Sequence, residues 1–277
     1  MLQGTPGRVR EYYDEHLISE AHVLAALAGR GRADAPTADD LFAFDQDHYG
    51  GLAAVDSLAQ RAGAGAASRV LDLCAGLGGP ARFLASRRGS SVVALELHAG
   101  RAAGAARLNR LVKQGGVTVV RADATTLPFR PCAFDACLSQ EALLHIADKP
   151  AVLAECHRVL VRGGRLAFTD WIAFPRLADR ERQRLWEWMA ATTLQTLESY
   201  RTLLGRAGFT AVEAEDLSGE WRAIVRRRLE LHRALRPQQE ARFGRRHYVE
   251  YDQLHAFFAG LIEAGKLGGG RFTATRA

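Results

Sequence analysis

The stretch Arg69-Val70-Leu71-Asp72-Leu73-Cys74-Ala75-Gly76-Leu77-Gly78-Gly79-Pro80-Ala81 decides the fold, because it joins an apolar run, a glycine-rich turn and a helix start. Glycines in such a turn let the backbone approach a ligand that a Cβ atom would block. Pro80 suits the first turn of a helix, where its missing N–H costs nothing. The helix start offers free N–H groups and a positive dipole end. The stretch therefore predicts a ligand site at the end of a buried strand.

The chain of 277 residues has an ordinary globular composition, with 48% hydrophobic and 25% charged residues. This length allows one large domain, or one domain with an embellishment. No apolar run approaches the roughly 20 residues that cross a bilayer, and the amino terminus lacks the apolar segment of a signal peptide. We therefore expect a cytoplasmic protein with no membrane partner.

The cysteines and the charge indicate little specialised chemistry. The four cysteines lack zinc-ligand spacing, so we expect free thiols and no metal. The formal net charge is +6, and nearly all of the positive residues are arginines. Because an arginine-rich composition also follows from genomic base bias, this charge is weak evidence for a polyanionic partner.

Strand-like and helical segments alternate from Arg69 onward, which is typical of a parallel sheet with helices on both faces. The predicted strands are Arg69–Cys74, Ser91–Leu95, Val117–Arg121, Ala133–Ser139, Arg165–Thr169, Gly208–Leu217 and Arg271–Thr275. The stretch Leu177–Leu204 is predicted to be mostly helical. We predict an α/β fold with a Rossmann-like, mostly parallel sheet of seven strands. Residues 1–60 would form an N-terminal helical cover and residues 61–277 the main domain, with a helical lid insertion at about 172–205 and 218–267.

The glycine turn is compatible with two kinds of ligand. Gly76–Ala81 fits the G-x-G-x-x-A fingerprint of dinucleotide sites, and Glu96 follows Gly76 by 20 residues. The second interpretation is a site for S-adenosylmethionine (SAM), in which Asp72 faces the amino group of the amino-acid moiety. A pyrophosphate gains nothing from a carboxylate there, since like charges repel. A plain strand–helix connection is the third interpretation.

Two more acids follow the next strands. Glu96 is placed at a strand end, where it can accept hydrogen bonds from a ribose diol; a surface carboxylate is the alternative. Asp123 follows the third strand and is placed to accept from an adenine amine, with the backbone around Ala124 nearby. A loop-capping aspartate is the alternative there.

The segment Ser139–His145 follows the fourth predicted strand, at the edge where open α/β sheets bind ligands. Glu141 and His145 are four residues apart and share one face of a helical turn. Histidine suits proton transfer near neutral pH, and Glu141 can orient a cationic amine or tune His145. The alternatives are a histidine packed under the cover and an acid at a helix start.

These residues resemble the class I SAM-dependent methyltransferases. The resemblance spans residues 69–170 and includes, in the family's order, Asp72–Gly78, Glu96, Asp123-Ala124, Leu127-Pro128-Phe129, Phe134-Asp135 and the turn Arg158–Gly164. Cys74 stands where the family has its first loop glycine. The resemblance implies a SAM-binding domain over residues 61–277, S-adenosylhomocysteine (SAH) as the coproduct, and no metal.

The resemblance also implies which side chains and backbone segments hold the cofactor. They follow the carboxyl ends of the first four strands. The predicted cofactor residues are Asp72, Cys74, Gly76, Gly78, Glu96, Leu97, Asp123, Ala124, Ser139 and Gln140.

A narrower resemblance leads to small-molecule amine methyltransferases, with the sarcosine/dimethylglycine and phosphoethanolamine N-methyltransferases as the nearest types. It rests on Phe44-Asp45-Gln46 with Gly50-Gly51, on Gly78–Arg82, on Ser139–His145 and on Gly268–Arg276. In the phosphoethanolamine type, an acid and a histidine occupy the positions of Glu141 and His145. That histidine helps a tyrosine of the N-terminal cover to order the site. The nearest candidates for this tyrosine are Tyr12, Tyr13 and Tyr49.

The resemblance implies methyl transfer to a small-molecule acceptor, an amine, with His145 as proton acceptor or orienter and Glu141 as its partner. Tyr13, Tyr49 and Trp171 are predicted to line the acceptor pocket, since aromatic faces attract a sulfonium or a quaternary ammonium. Methylation of oxygen, sulfur or carbon, an RNA methyltransferase and an NAD-dependent oxidoreductase are the alternatives. We expect a monomer or homodimer.

The arginine-rich stretch Arg222–Arg246 has three interpretations. It forms a solvated helix face, or it follows a phosphate backbone, or one arginine binds a carboxylate or phosphate of the substrate. No nucleic-acid partner is expected, because Ser139-Gln140-Glu141-Ala142 replaces the Asn/Asp-Pro-Pro-Tyr turn of amino-methylating nucleic-acid enzymes.

Overall fold

The computed structural model describes residues 6–14, 18–32, 34–46 and 48–277. The predicted cover over residues 1–60 includes residues 1–5, 15–17, 33 and 47, which lie outside the described residues. The helices described in this region are α1 (Pro6–Asp14), α2 (Glu20–Gly29), α3 (Ala38–Leu41) and α4 (Gly51–Ala62). The division of the chain at residue 60 stays a prediction.

The described residues form one sheet of seven strands in the order β3-β2-β1-β4-β5-β7-β6. Only β7 runs antiparallel to its neighbours. The strands are β1 (Arg69–Leu73), β2 (Ser91–Glu96), β3 (Val117–Arg121), β4 (Phe134–Gln140), β5 (Leu160–Ala173), β6 (Phe209–Asp216) and β7 (Leu267–Arg276). The predicted Rossmann-like, mostly parallel sheet of seven strands is therefore confirmed.

Eight further helices among the described residues surround this sheet: α5 (Gly79–Arg88), α6 (Ala99–Leu111), α7 (Lys149–Val159), α8 (Asp179–Met189), α9 (Leu197–Arg206), α10 (Ser218–Ala234), α11 (Arg236–Phe243) and α12 (Arg245–Glu263). Helices α8 and α9 fall between β5 and β6, and α10 to α12 fall between β6 and β7. The stretch predicted to be mostly helical over Leu177–Leu204 is divided, because Ala190 ends α8 in a left-handed conformation with φ of 51°.

Neighbouring residues of the central strands pack on opposite faces of the sheet. In β1, Val70 belongs to an apolar cluster with Leu58 of α4, whereas Leu71 belongs to a cluster with Leu153 of α7. This follows from the two-residue period of a strand. A strand buried on both faces is a near-continuous apolar run, which is why β1 was recognisable in the sequence.

The parallel register brings the ends of three strands to one edge. Leu73, at the end of β1, pairs with Leu95 of β2 and with Ser139 of β4. The glycine turn, Glu96 and the segment after β4 therefore converge at the carboxyl edge of the sheet.

The structure also describes the state of the cysteines and the length and hydropathy of the helices. All four cysteines are free thiols, as predicted. Of the helices in the described part of the chain, none is both long and apolar enough to cross a membrane.

Candidate active site

A cavity of about 290 Å³, the first cavity, lies at the carboxyl edge of the sheet. It is bounded by the glycine turn after β1, the end of β2, the loops after β3 and β4, and helix α1. The predicted cofactor residues that line it are Asp72, Cys74, Gly76, Glu96, Leu97, Asp123, Ala124 and Gln140. The predicted catalytic residues His145 and Glu141 line it as well.

Two predicted cofactor residues do not line the first cavity. The hydroxyl of Ser139 is buried and donates a hydrogen bond to the carbonyl of Leu73 at 3.1 Å. Gly78 precedes α5 with φ of 77°, a left-handed conformation that favours glycine. Both residues hold the edge of the sheet in shape, and a contact of either with a cofactor stays a prediction.

Asp72 is a buried carboxylate without a complete set of partners. Only 3% of the residue is exposed, and its Oδ2 atom has no hydrogen-bond partner among the described residues. Burial, together with the nearby carboxylate of Glu96, raises the pKa of Asp72 to about 7. A cationic group in the first cavity would supply the missing partner and favour the ionised carboxylate.

Glu96 joins the glycine turn to the start of α6. Its Oε2 accepts a hydrogen bond from the Gly76 N–H at 2.8 Å, and its Oε1 accepts one from the His98 N–H at 2.7 Å. Each carboxylate oxygen has a second lone pair. Glu96 therefore organises the loops around the first cavity while keeping the capacity to accept from a ribose hydroxyl.

Asp123 caps its own loop. Its Oδ1 accepts hydrogen bonds from the N–H of Thr125 at 2.8 Å and from the Thr125 hydroxyl at 2.7 Å. This is the loop-capping role named as the alternative for this residue. Asp123 also lines the first cavity, so the predicted contact with an adenine amine stays a prediction.

Cys74 takes the position of a loop glycine with a left-handed φ of 57°. Side chains rarely adopt this conformation. Cys74 packs against the apolar cluster that contains Leu73 and Cys156, and burial raises its thiol pKa well above the ordinary value. The side chain is therefore a neutral part of the cavity wall.

The glycines of the turn make room for other parts of the protein. A Cβ atom on Gly76 would lie 2.6 Å from a guanidinium nitrogen of Arg101, and one on Gly79 would lie 2.3 Å from the carbonyl oxygen of Asp45. The predicted reason for these glycines was the close approach of a ligand. The described contacts give a different reason at both positions, which is tight packing against Arg101 and the segment around Asp45.

Arg101 connects the glycine turn to the N-terminal helices. Its guanidinium lies over the ring of Tyr13 at 4.6 Å and donates to the carbonyl of Ile18 at 3.3 Å. Close by, His98 Nε2 lies 3.0 Å from a carboxylate oxygen of Asp14. These contacts hold α1 against the first cavity.

A buried ion pair fixes the segment before α4. Arg82 and Asp45 form a salt bridge of 2.8 Å, and neither side chain is exposed. The guanidinium also donates to Asn109 Oδ1 at 2.7 Å and to the Leu77 carbonyl at 2.6 Å. Because the charge is paired and hydrogen-bonded, its burial is tolerated.

Glu141 has a clear structural contact. Its two carboxylate oxygens accept from the backbone N–H of Tyr49 at 3.1 and 2.9 Å. The residue has φ of 51°, and only Leu143–His145 form a short 3-10 turn. The predicted helical turn with Glu141 and His145 on one face is therefore wrong. Glu141 anchors Tyr49, a role that the sequence did not reveal.

His145 is held by the segment that follows α8. Its Nδ1 atom lies 3.1 Å from the carbonyl oxygen of Ala190. Thr192 donates its N–H and its hydroxyl to the carbonyl of Leu144, each at 2.9 Å. Since a carbonyl only accepts, this contact places the proton on Nδ1 and makes Nε2 the basic atom of His145.

Two tyrosines of α1 surround His145. The ring centroids of Tyr12 and Tyr13 lie 5.7 and 5.3 Å from that of the imidazole. The resemblance implied a tyrosine of the N-terminal cover beside this histidine. Tyr12 and Tyr13 occupy that place, whereas Tyr49 contacts the site through Glu141.

A second cavity of about 890 Å³ adjoins the first. It is bounded by α1, α8, α10 and α12, and Tyr13, Glu141 and His145 line both cavities. Tyr49 and Trp171, predicted to line the acceptor pocket, line the second cavity only. Their rings meet edge to face with centroids 5.4 Å apart.

Arg228 of the arginine-rich stretch also lines the second cavity. Its guanidinium lies over the Tyr49 ring at 4.4 Å and donates to the carbonyl of His48 at 2.9 Å. Other arginines of this stretch face outward and pair with acids, such as Arg226 with Glu263. A solvated helix face, one of the three interpretations, therefore describes Arg226, whereas Arg228 is exposed and also lines the second cavity.

Several of these residues were missed at the sequence level. Arg101 resembles every other arginine in the sequence, and the carbonyl of Ala190 belongs to a residue without functional groups. Within the arginine-rich stretch, the sequence did not single out Arg228. Among the described residues, no group of three or more histidine, cysteine or acidic side chains is arranged to hold a metal ion.

Comparison with known proteins gives a consistent family match. Residues 71–168 match the model of a family described as a methyltransferase domain. A sarcosine/dimethylglycine N-methyltransferase of Halorhodospira halochloris is 34% identical over 152 residues, which are 54% of this chain and 54% of that protein. Phosphoethanolamine N-methyltransferase 1 of Arabidopsis thaliana is 28% identical over 187 residues, or 65% of this chain and 36% of that protein. The chain thus spans about half or less of the length of these relatives.

The fold is also shared with solved structures. Phosphoethanolamine N-methyltransferase 2 of Haemonchus contortus, solved with phosphomonomethylethanolamine and SAH, superposes with a TM-score of 0.82 at 21% identity. The superposition covers 97% of this chain and 60% of that one. At this level of identity, the likeness concerns the fold.

Proposed function

Because the chain carries a class I SAM-dependent methyltransferase domain, we propose that it transfers the methyl group of SAM to a small-molecule acceptor, with an amine nitrogen as the acceptor atom. The observation that supports this most directly is the meeting of two cavities. The first contains the unpartnered Oδ2 of Asp72. The second opens beside the first at Tyr13, Glu141 and His145.

The residues of the first cavity fit SAM. The buried Oδ2 of Asp72 has no hydrogen-bond donor within the described part of the chain, and an ammonium group would provide one. Glu96 has lone pairs for the ribose, and Asp123 and Ala124, which also line the first cavity, are proposed to contact the adenine. A pyrophosphate would face the carboxylates of Asp72 and Glu96, which disfavour an anion. When bound, SAM supplies an activated methyl group.

His145 is proposed to take a proton from the acceptor. An amine must lose its proton before its lone pair is available, and a neighbouring base lowers the cost of that step. The contact between Nδ1 and the Ala190 carbonyl leaves Nε2 as the accepting atom. Tyr12 and Tyr13 pack around the imidazole and fix its orientation.

Glu141 is proposed to act as a positioning residue. Its carboxylate holds the Tyr49 backbone, and Tyr49 in turn packs against Trp171 in the wall of the second cavity. Holding the reacting groups in line contributes about 7–11 kcal/mol in favourable cases. The proposed contribution of Glu141 is therefore to the shape of the acceptor site.

An amine acceptor is supported by the names of the relatives, which include N-methyltransferases of sarcosine, dimethylglycine and phosphoethanolamine. Metabolite profiling tests the proposal: the protein and SAM are incubated with a fractionated metabolite pool, and SAH formation and methylated products are followed by mass spectrometry. We expect SAH formation together with a product that is 14 mass units heavier at nitrogen. A product methylated at oxygen, sulfur or carbon would overturn the amine assignment, and absence of SAH formation from every pool would overturn the activity.

A further inference from the structure

The second cavity is large for a minimal amine. Its volume of about 890 Å³ is near the upper end of the range of about 300–1,000 Å³ in which protein cavities enclose drug-sized ligands. An acceptor as small as sarcosine would leave most of this volume to water. The size of the cavity therefore favours an acceptor with a substantial body beyond its methyl-accepting nitrogen.

The walls away from His145 offer apolar and aromatic surface. Leu231 of α10 lines the cavity with 56% of its surface exposed, although it is a large apolar side chain. Phe258 and Trp171 also line the cavity; both are almost fully buried, and their rings contact each other. A cavity lined by apolar and aromatic side chains together with a few polar groups is typical of a small-molecule site.

Two histidines that line the second cavity, His232 and His255, make contacts with other residues of the protein. His232 stacks on Tyr248 at 4.4 Å, and its Nε2 lies 3.2 Å from the Tyr248 carbonyl. His255 stacks on Tyr251 at 3.8 Å, and burial lowers the pKa of His255 to about 4. At neutral pH, His255 therefore adds no positive charge to this wall.

Arg228 is the charged group in this wall that has no acidic partner among the described residues. Its guanidinium contacts the Tyr49 ring and the His48 carbonyl, and one hydrogen bond leaves other N–H donors of the fork available. By contrast, Arg246 forms an ion pair with Glu250 at 2.8 Å. A guanidinium stacked on an aromatic ring is well suited to bind a carboxylate or a phosphate through two hydrogen bonds.

We propose that the acceptor is a drug-sized amine with an aromatic body, whose carboxylate or phosphate group binds Arg228 while its nitrogen lies at His145. The inference rests on the proposed function, since it deepens the description of the same acceptor site. Tyr49 separates the two ends, because it contacts Glu141 through its backbone and Arg228 through its ring. The acceptor thus spans the cavity along Tyr49.

Calorimetric titration of the SAH-loaded protein tests this inference without requiring turnover. The probes are sarcosine, 4′-(aminomethyl)biphenyl-4-carboxylate, the corresponding phosphonate, and 4′-(aminomethyl)-4-methylbiphenyl, which is called the uncharged probe because its end facing Arg228 carries no charge. The variants are Arg228→Met and, as a matched control, Arg227→Met, which removes the neighbouring exposed arginine of the same helix. Thermal unfolding of both variants verifies that they fold.

We expect the tighter of the two charged biphenyl probes to bind at least about tenfold more tightly than sarcosine. Arg228→Met should weaken that probe by about tenfold or more, the loss of one charge-assisted contact, and should change the uncharged probe by less than about twofold. Arg227→Met should leave both unchanged. Whichever of the carboxylate and phosphonate probes binds more tightly identifies the oxyanion that the site prefers.

Sarcosine binding as tightly as the charged biphenyl probes, or an equal effect of Arg228→Met on charged and uncharged probes, would overturn the inference. These results are independent of methyl transfer. A protein that binds SAH and the charged biphenyl probe but forms no methylated product from any metabolite pool would instead contradict the proposed function.

Discussion

The Nδ1 atom of His145 lies 3.1 Å from the carbonyl oxygen of Ala190, the residue that ends α8 in a left-handed conformation. The base proposed for the reaction is therefore oriented by a helix that lies between β5 and β6. This contact makes Nε2 the basic atom, and it links the acceptor site to the segment that divides α8 from α9.

Replacement of His145 tests its role as proton acceptor. His145→Ala should lower kcat by about 10²–10⁴-fold, the usual contribution of a general base. The Kd for SAH should stay within about twofold of the wild-type value, since His145 is proposed to take a proton from the acceptor and not to bind the cofactor. Steady-state kinetics and calorimetry measure the two quantities. His157→Ala is the control, because His157 packs against Phe209 away from both cavities; near-full activity of His145→Ala would remove this histidine from the mechanism.

Asp72 predicts a pH dependence of stability in the ligand-free protein. Its folded-state pKa is raised from 3.8 to about 7, so its contribution to stability is fully present below about pH 4 and is lost as the pH rises to about 7. Asp72→Asn should therefore raise Tm at pH 8, and the gain should vanish near pH 4. The same variant should bind SAH more weakly.

Asp135 provides the control of opposite sign. The Arg69 guanidinium beside it lowers the pKa of Asp135, so the ionised carboxylate stabilises the fold above its unfolded pKa. Asp135→Asn should lower Tm at pH 8. If Asp72→Asn also lowered Tm at pH 8, the ionised carboxylate of Asp72 would not be destabilising there, and the proposed cost of its burial without a partner would be refuted.

The Asp45–Arg82 pair should be sensitive to loss of one partner. Arg82→Met leaves the Asp45 carboxylate buried without its cation, which costs about 3–5 kcal/mol of unfolding free energy. Urea unfolding measures the effect. Asp39→Asn removes one partner of an exposed ion pair with Arg87 and should be nearly neutral; equal effects of the two variants would show that burial of the pair is unimportant.

The left-handed backbone of Glu141 makes a further prediction. Glu141→Gly should be about 1 kcal/mol more stable than Glu141→Ala, since glycine adopts positive φ without a Cβ penalty. Both variants should raise the KM for the acceptor because the Tyr49 N–H loses its acceptor, and Glu141→Gln should retain more of the contact. An unchanged KM for the acceptor in all three variants would show that Glu141 does not shape the acceptor site.

Much of the fold was predictable because β1, β2 and β4 are buried apolar runs bounded by turn residues. The beginning of β5 was not, since Leu160 pairs with Phe134 before a register shift that returns the strand to Ala136. Gly163 lies in the stretch of β5 between these two pairs and has a left-handed φ of 76°, and the hydrophobic period of the sequence does not indicate the shift.

The candidate site was predictable only in part. The cofactor residues follow strand ends, so the topology brings most of them together. The partners of Arg101 and Arg228 lie 83 and 180 residues away in the chain, and local patterns carry no information on such contacts. The turn that carries His145 was mispredicted as helical because a 3-10 turn and a helical turn share the same local signals.

The most direct test of the central claim is calorimetric titration of the wild-type protein with SAH and, in parallel, with NAD. We expect saturable binding of SAH at one site per chain, weakened by Asp72→Asn, and no binding of NAD under the same conditions. Binding of NAD with no binding of SAH would contradict the claim.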